Sequence, residues 1–295
     1  MAAASFPELN IALFNVDSSD EKVKAVDRQQ CMVVILDTVL AENYPNLFVL
    51  CQDKINGPKH NILCQQLGQG PSFSGKKLEA AVYNRPDSDA GDYDVSYVDV
   101  AILQRIDDRF RYEPGNPFEK SCLMACVLTP RLGGSDGKKV LLVSWHGPHK
   151  SKVKAACFRR LVRFSERLRR RYRCQHNPDT CQCCDIAIIG GDFNMPDKDA
   201  RREMDSLRTS DQVDGVVLGG YTTTEDRRDG RAQECIDFVV YWPKDALQSL
   251  EISVVQRDFR REKGNRPFDH PIILYRFGDL FRDLAQQFGN ITLDG

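Results

Sequence analysis

Short apolar runs alternate along this chain with polar stretches rich in glycine and proline, and the spacing inside each run predicts its structure. Runs of strand length stand at 9–16 (LNIALFNV), 46–52 (NLFVLCQ), 77–84 (KLEAAVYN), 96–106 (SYVDVAILQRI), 120–130 (KSCLMACVLTP) and 140–146 (VLLVSWH). Further ones follow at 185–191 (DIAIIGG), 235–242 (CIDFVVYW), 250–256 (LEISVVQ) and 271–277 (PIILYRF). NLFVLCQ is almost wholly apolar, as a strand covered on both faces must be. Helical spacing predicts a helix over 27–44, stopped by Pro45, and a long one over 151–173, with Val153, Cys157, Leu161, Phe164 and Leu168 as its core-facing stripe. A short amphipathic helix is expected over 278–289, and RLGGSDGKK at 131–139 reads as a glycine-rich hairpin loop. Strands interspersed with helices, without repeats or an obvious linker, predict one large layered α/β domain.

The predicted strands share a feature that burial alone does not demand. Asn15 and Asp17 follow IALF, Gln52 and Asp53 follow or end LFVLC, and His146 ends LLVSW. Asp192 and Asn194 follow IAIIGG, Asp237 lies inside CIDFVV, and Asp269 and His270 precede PIILYRF. A buried carboxylate is costly unless paired or bound to a metal. One Asp–Asn pair after a strand is ordinary turn chemistry, but several such costs in one chain predict that the ends converge. Carboxylates with Asn and no cysteine form a hard-oxygen set that suits magnesium or manganese better than zinc. Two histidines beside them supply general acid–base groups or phosphate donors. Together these are the parts of metal-assisted phosphate ester hydrolysis.

The ordered series FNVD, VLCQD, SWH, GGDFN, CIDFVV and FDHPI resembles the endonuclease/exonuclease/phosphatase superfamily, which has the deoxyribonuclease I-like fold. Each string is weakly specific; six in order are not. The resemblance implies a four-layer α/β sandwich, two packed mixed β-sheets flanked by helices. It implies a single domain over 1–295, with motifs spanning 10–277 and a C-terminal helix and tail over 278–295. It assigns metal binding to Asp53, Asp17, Asn15 and Asp269, with magnesium or manganese as the cofactor. Asp192 then activates or orients the attacking water, and Asn194 holds that water and a phosphate oxygen. His270, oriented by Asp237, contacts a non-bridging oxygen, and His146 sits near the phosphate. Asn15, Tyr83, Asn194 and His146 are the substrate-binding set. Two positions depart from the family pattern: Asp53 stands where Glu is usual, and Phe268 where Ser is usual.

Composition narrows the picture. The 295 residues carry a net charge of −1, with 41% hydrophobic and 28% charged residues, so the chain as a whole is no polyanion magnet. No apolar run approaches the roughly 18 residues that span a bilayer, and MAAASFPELN lacks the features of a secretory signal. Of eleven cysteines, Cys31, Cys122, Cys126, Cys157 and Cys235 lie in apolar runs, which predicts buried free thiols in a reducing cytoplasmic or nuclear compartment. Cys174, His176, Cys181, Cys183 and Cys184 offer enough ligands for a structural zinc, though their spacing matches no finger or ribbon. The stretch 149–173 holds eleven Lys and Arg against one Glu, either a solvated helix face, a nucleic-acid or anionic-surface contact, or a nuclear import signal at Arg169 to Arg171. The expected activity is that of a monomeric magnesium-dependent phosphoesterase, with nucleic acid the favoured substrate and Arg227, Arg228, Arg231, Arg257, Arg260, Arg261 and Lys263 in neighbouring loops. The alternatives are a nucleic-acid or partner-binding protein weakened by Asp53, and an inositol-phosphate or lipid phosphatase of the same superfamily.

Overall fold

The structure, a computed structural model, describes residues 8–15, 46–52, 81–84, 93–98, 102–103, 123–131, 138–148, 151–171, 184–219, 235–255 and 272–278. Strands β1 (Leu9–Asn15), β2 (Leu47–Gln52), β3 (Ala81–Asn84), β4 (Tyr93–Tyr97), β5 (Leu123–Pro130) and β6 (Val140–His146) come first. Helix α1 (Lys154–Arg171), strand β7 (Ile186–Asp192) and helix α2 (Asp197–Asp211) follow. Strands β8 (Val216–Leu218), β9 (Asp237–Trp242), β10 (Gln248–Val255) and β11 (Ile272–Gly278) complete the order. They form a mixed five-stranded sheet, β10-β11-β1-β2-β3, and a mixed six-stranded sheet, β4-β5-β6-β7-β9-β8. This is the expected α/β sandwich.

The alternation of side chains along each strand sorts the apolar residues into two cores. Between the sheets, Leu9, Ile11 and Leu13 of β1 and Leu50 of β2 meet Leu142 of β6, Ile186 and Ile188 of β7 and Val239 of β9. On the other face of the six-stranded sheet, Leu141, Val143, Ala187, Ile189, Phe238 and Val240 pack beneath the helices. From α1 this second core takes Phe158, Leu161, Phe164 and Leu168, and from α2 Ala200, Met204 and Leu207. The central strands are thus covered on both faces, which is why they read as continuous apolar runs. Helices α1 and α2 are tied by ion pairs from Arg159 to Glu203 and from Arg163 to Asp211, the latter bidentate at 3.0 and 2.9 Å.

Four expectations change. The strand expected over 96–106 is instead Tyr93–Tyr97, and Ile102 and Leu103 are helical. Pairing with β5 runs from Tyr93 opposite Pro130 to Tyr97 opposite Cys126, and past Val98 the apolar run is free to follow its equally good helical period. Val153 does not belong to the buried stripe of α1; it is 39% exposed. It lies in a 3-10 turn, Ser151–Val153, whose tighter winding rotates it off the stripe that Cys157, Leu161, Phe164 and Leu168 do form. Residues 197–211, to which no element was assigned, are the helix α2, and β8 was not anticipated either. The thiols of Cys126, Cys157 and Cys235 are free and buried, as expected. Among the described residues no helix is long and apolar enough to cross a membrane. The helix expected over 27–44 lies outside the described residues, as does that expected over 278–289 except for Gly278, which ends β11.

Candidate active site

On four strands the inner-face column of apolar side chains ends in a polar one, and these four ends fall at the same edge of the sandwich. On β1 the column is Leu9, Ile11, Leu13 and then Asn15; on β6 it is Val140, Leu142, Ser144 and then His146. On β7 it is Ile186, Ile188, Gly190 and then Asp192, and antiparallel β9 enters the same edge at Asp237 before Val239 and Tyr241. Strand register sets the three side chains of the six-stranded sheet in one row, since His146 pairs with Asp192 and Asp192 with Asp237. Asn15, His146, Asp192 and Asp237 are 6, 6, 5 and 4% exposed. β1 reaches them from the opposite sheet: Asn15 Nδ2 donates to Asp192 Oδ2 at 3.2 Å, a bond between residues 177 apart in sequence.

The glycines of GGDFN make this approach available. A Cβ on Gly190 would lie 2.7 Å from Leu50 Cδ1 and 2.8 Å from Leu13 Cδ2, so its absence lets the sheets close directly below Asp192. Gly191 has φ +142°, and a Cβ there would stand 2.0 Å from the Trp145 carbonyl oxygen. Gly191→Ala is therefore expected to destabilise the fold by about 3 kcal/mol or more, measured as a fall in the denaturant midpoint; an unchanged midpoint would refute this reading of the turn. Beyond the strand, Asn194 takes a left-handed φ of 51°, which Asn tolerates better than most residues. Its backbone N–H donates to Asp192 Oδ1 at 2.7 Å and its Nδ2 to the Gly147 carbonyl at 2.9 Å. Gly147 N–H in turn donates to the Asp192 carbonyl at 2.7 Å. Phe193 between them stacks on Phe238, with centroids 4.0 Å apart and planes within 6°, fixing the turn from the helical side.

The carboxylate of Asp192 thus has each oxygen held by a separate donor, and a second buried carboxylate, Asp237, beside it in register. Two neighbouring acids of like charge favour a cation between them. Tyr275 of β11 donates its hydroxyl to the Leu218 carbonyl at 3.1 Å. Burial above all, with Cys235 and Asp237 nearby, pushes its phenol well above the ordinary value, so it acts as a donor and not as an anion.

Of the residues named from sequence, Asn15, His146, Asp192, Asn194 and Asp237 come together here. Tyr83 lies on β3 opposite Val49, its side chain outside the described residues. Asp17, Asp53, Asp269 and His270 also lie outside them, as do Cys174, His176, Cys181 and Cys183. Cys184 packs as a free thiol in the core beneath α1, 2% exposed. Among the described residues no three His, Cys, Asp or Glu side chains cluster as a ready metal site. Gly147 was missed, and its signal was weak: a glycine directly after a strand-ending histidine.

No protein-family profile and no curated protein matches the sequence. Solved structures do match over 92% of this chain. An endonuclease/exonuclease/phosphatase from Bacteroides vulgatus is 14% identical with a TM-score of 0.56, 98% of that chain being covered. TDP2 of D. rerio, complexed with a single-strand DNA product, is 14% identical with a TM-score of 0.54 and 98% covered. The human Nocturnin catalytic domain, with a bound sulfate anion, is 15% identical with a TM-score of 0.52 and 93% covered. The fold of this chain is that of the endonuclease/exonuclease/phosphatase structures.

Proposed function

We propose that this chain is a magnesium- or manganese-dependent phosphoesterase acting on phosphodiester bonds of nucleic acid. The observation that carries the reading is the convergence of Asn15, His146, Asp192 and Asp237 at one edge of the sandwich, with Asp192 clamped by Asn15 and by the backbone of Asn194. A carboxylate so fixed has defined lone-pair directions, and can orient a water and accept its proton as it attacks phosphorus. Asn194, its carboxamide plane set by Gly147, holds that water or a phosphate oxygen. His146, in register beside Asp192, supplies a donor to the developing charge on the phosphoryl oxygens.

The donor set fits a hard divalent cation, since it is made of carboxylate and carboxamide oxygens without sulfur. Asn15 is the described candidate ligand; Asp17, Asp53 and Asp269 complete the proposed set. When bound, such an ion supplies Lewis-acid stabilisation of the phosphoryl oxygens. In sequence Asp53 follows Gln52 of β2, which pairs with Asn15, and His270 precedes by two residues Ile272, where β11 begins beside the end of β1. Asp237 is proposed to orient His270. Nucleic acid is favoured as substrate because one similar structure, D. rerio TDP2, is a complex with single-strand DNA product.

The test is a substrate panel: labelled single-stranded DNA and RNA, inositol phosphates and a phosphodiester dye, with magnesium or manganese. We expect hydrolysis of the oligonucleotides and the dye, abolished by EDTA and restored by excess magnesium. No turnover on any member would sink the proposal and favour a binding protein in which Asp53 no longer sustains catalysis. Turnover confined to inositol phosphates would keep the enzyme but overturn the nucleic-acid assignment.

A further inference from the structure

Outside the candidate site, the strongest charge asymmetry among the described residues lies on α1. Seven of its eight basic residues are arginine, against the single acid Glu166. Helix α2 shows how a surface helix is ordinarily balanced here. Its Arg201, Arg202 and Arg208 each pair with a carboxylate of the same helix, Asp197, Asp199 and Asp205, at 2.9 to 3.1 Å. α1 has only Glu166 of its own, shared by Arg169 and Arg170, and its Arg159 and Arg163 take Glu203 and Asp211 from α2 instead, although the whole chain is nearly neutral at −1.

The arginines of α1 also line a concavity. A groove of about 740 Å³ beside the C-terminal part of α2 is walled by Arg159, Arg160, Arg163, Arg167, Arg170 and Arg171. Among the described residues two carboxylates line it, Glu166 and Asp211, against six arginines. Both acids are engaged already. Glu166 accepts from Arg169 at 2.7 Å and Trp242 at 2.7 Å, and Asp211 from Arg163 at 2.9 Å. Arg159, Arg163, Arg167 and Arg171 stand four residues apart, so they form one ridge with steps of about 6 Å and a length of about 18 Å. A compact ligand has no use for a row of that length.

We propose that this groove binds the phosphate backbone of a single-stranded nucleic acid, at a surface separate from the candidate active site. α1 leaves the site end of the sheet and finishes at Arg171; in its last turn the Arg169 carbonyl accepts from Cys184 N–H just ahead of β7, at the opposite end. Guanidinium groups meet phosphate oxygens bidentately and are weakly hydrated, which suits arginine better than lysine to this task. The existing pairs do not prevent it. Arg163 and Arg170 are 46 and 64% exposed. Exposed pairs contribute little, so a run of phosphates competes with them. Binding of this kind needs no hydrolysis, and its failure is read independently of the proposed enzymatic activity.

The experiment uses the full chain and a fluorescein-labelled single-stranded oligonucleotide in EDTA, with anisotropy followed across a salt series. Combined Arg163→Gln, Arg167→Gln and Arg171→Gln is expected to raise Kd by about tenfold or more at low salt. The same variant should lower the slope of log K against log salt by about 2. The corresponding triple lysine variant restores the slope but not all of the affinity, because it keeps charge and loses the fork. Hydrolysis of a phosphodiester dye with magnesium stays at the wild-type rate in both. If the triple variant fails to fold, Arg171→Glu alone, at the exposed end of the helix, must still weaken binding and lower the slope. Unchanged affinity and slope in these variants would overturn the proposal. So would displacement of the oligonucleotide by inositol hexakisphosphate or polyglutamate at lower total charge than by unlabelled strand, which would assign the groove to a compact polyphosphate or an acidic peptide.

Discussion

Asp192→Asn is expected to lower kcat on a phosphodiester by about 10³- to 10⁴-fold, with little change in KM. The carboxamide is nearly isosteric: its one oxygen still accepts from the Asn194 N–H, and Asn15 turns its own carboxamide over to accept from the new NH2, but the side chain cannot take a proton from water. The same substitution removes one of two neighbouring buried carboxylates. Thermal denaturation should therefore place the variant at or above the melting temperature of the wild type. That combination, activity lost and stability kept, is what separates a catalytic Asp192 from a structural one. A variant that melts early, or one that retains activity, would sink the role assigned here.

Glu166→Gln is expected to cost about 3 kcal/mol of stability, measured by chemical denaturation at neutral pH. Glu166 lies under α1 and accepts from Arg169 at 2.7 and 2.9 Å, from Arg170 at 2.5 Å and from the indole of Trp242 at 2.7 Å. Burial pushes its carboxyl up, but the hydrogen bonds and charge of Arg169, with Trp242 and Arg170, outweigh that and hold it below the usual 4.5. Glutamine can still accept from Trp242 but leaves Arg169 without its anion. The pH dependence has a definite sign. The folded carboxyl is the stronger acid, so its stabilisation is complete above the unfolded value of 4.5 and is lost as pH falls through the lower, folded one. The gap between wild type and variant should therefore be constant at neutral pH and shrink below about pH 4.5. A gap that persists unchanged in acid would show that packing, not charge, sets the effect.

The amino-acid sequence exposes different parts of this molecule to different degrees. The central strands were legible because burial on both faces leaves no room for polar residues, so the runs in β1, β6, β7 and β9 stand out. Their polar ends were legible for the complementary reason: a buried Asp or His at the end of an apolar column needs a cause. What sequence could not supply was partnership. Nothing local says that Asn15 meets Asp192, because strand pairing between distant segments decides it. Helix α2 was overlooked although Ala200, Met204 and Leu207 carry a helical period and acids fill its first turn. A glycine-rich strand end followed by Pro196 reads as a turn, and here it is both a turn and a helix start. The strand β4 was displaced because SYVDVAIL fits either period, and only its partner β5 chooses between them.

The bond between Asn15 and Asp192 joins the two sheets, and β1 is held between β2 and the last described strand, β11. Synthesis on the ribosome delivers these parts in order. β1 can find its parallel neighbour β2 early, but its antiparallel neighbour arrives only when residues 272–278 have emerged. The edge where the polar residues gather is thus completed only once β11 has emerged. Nascent chains released before that point would hold Asp192 and Asn194 on a six-stranded sheet without a finished facing sheet. Products that stop short of residues 272–278 are therefore expected to lack the proposed hydrolysis.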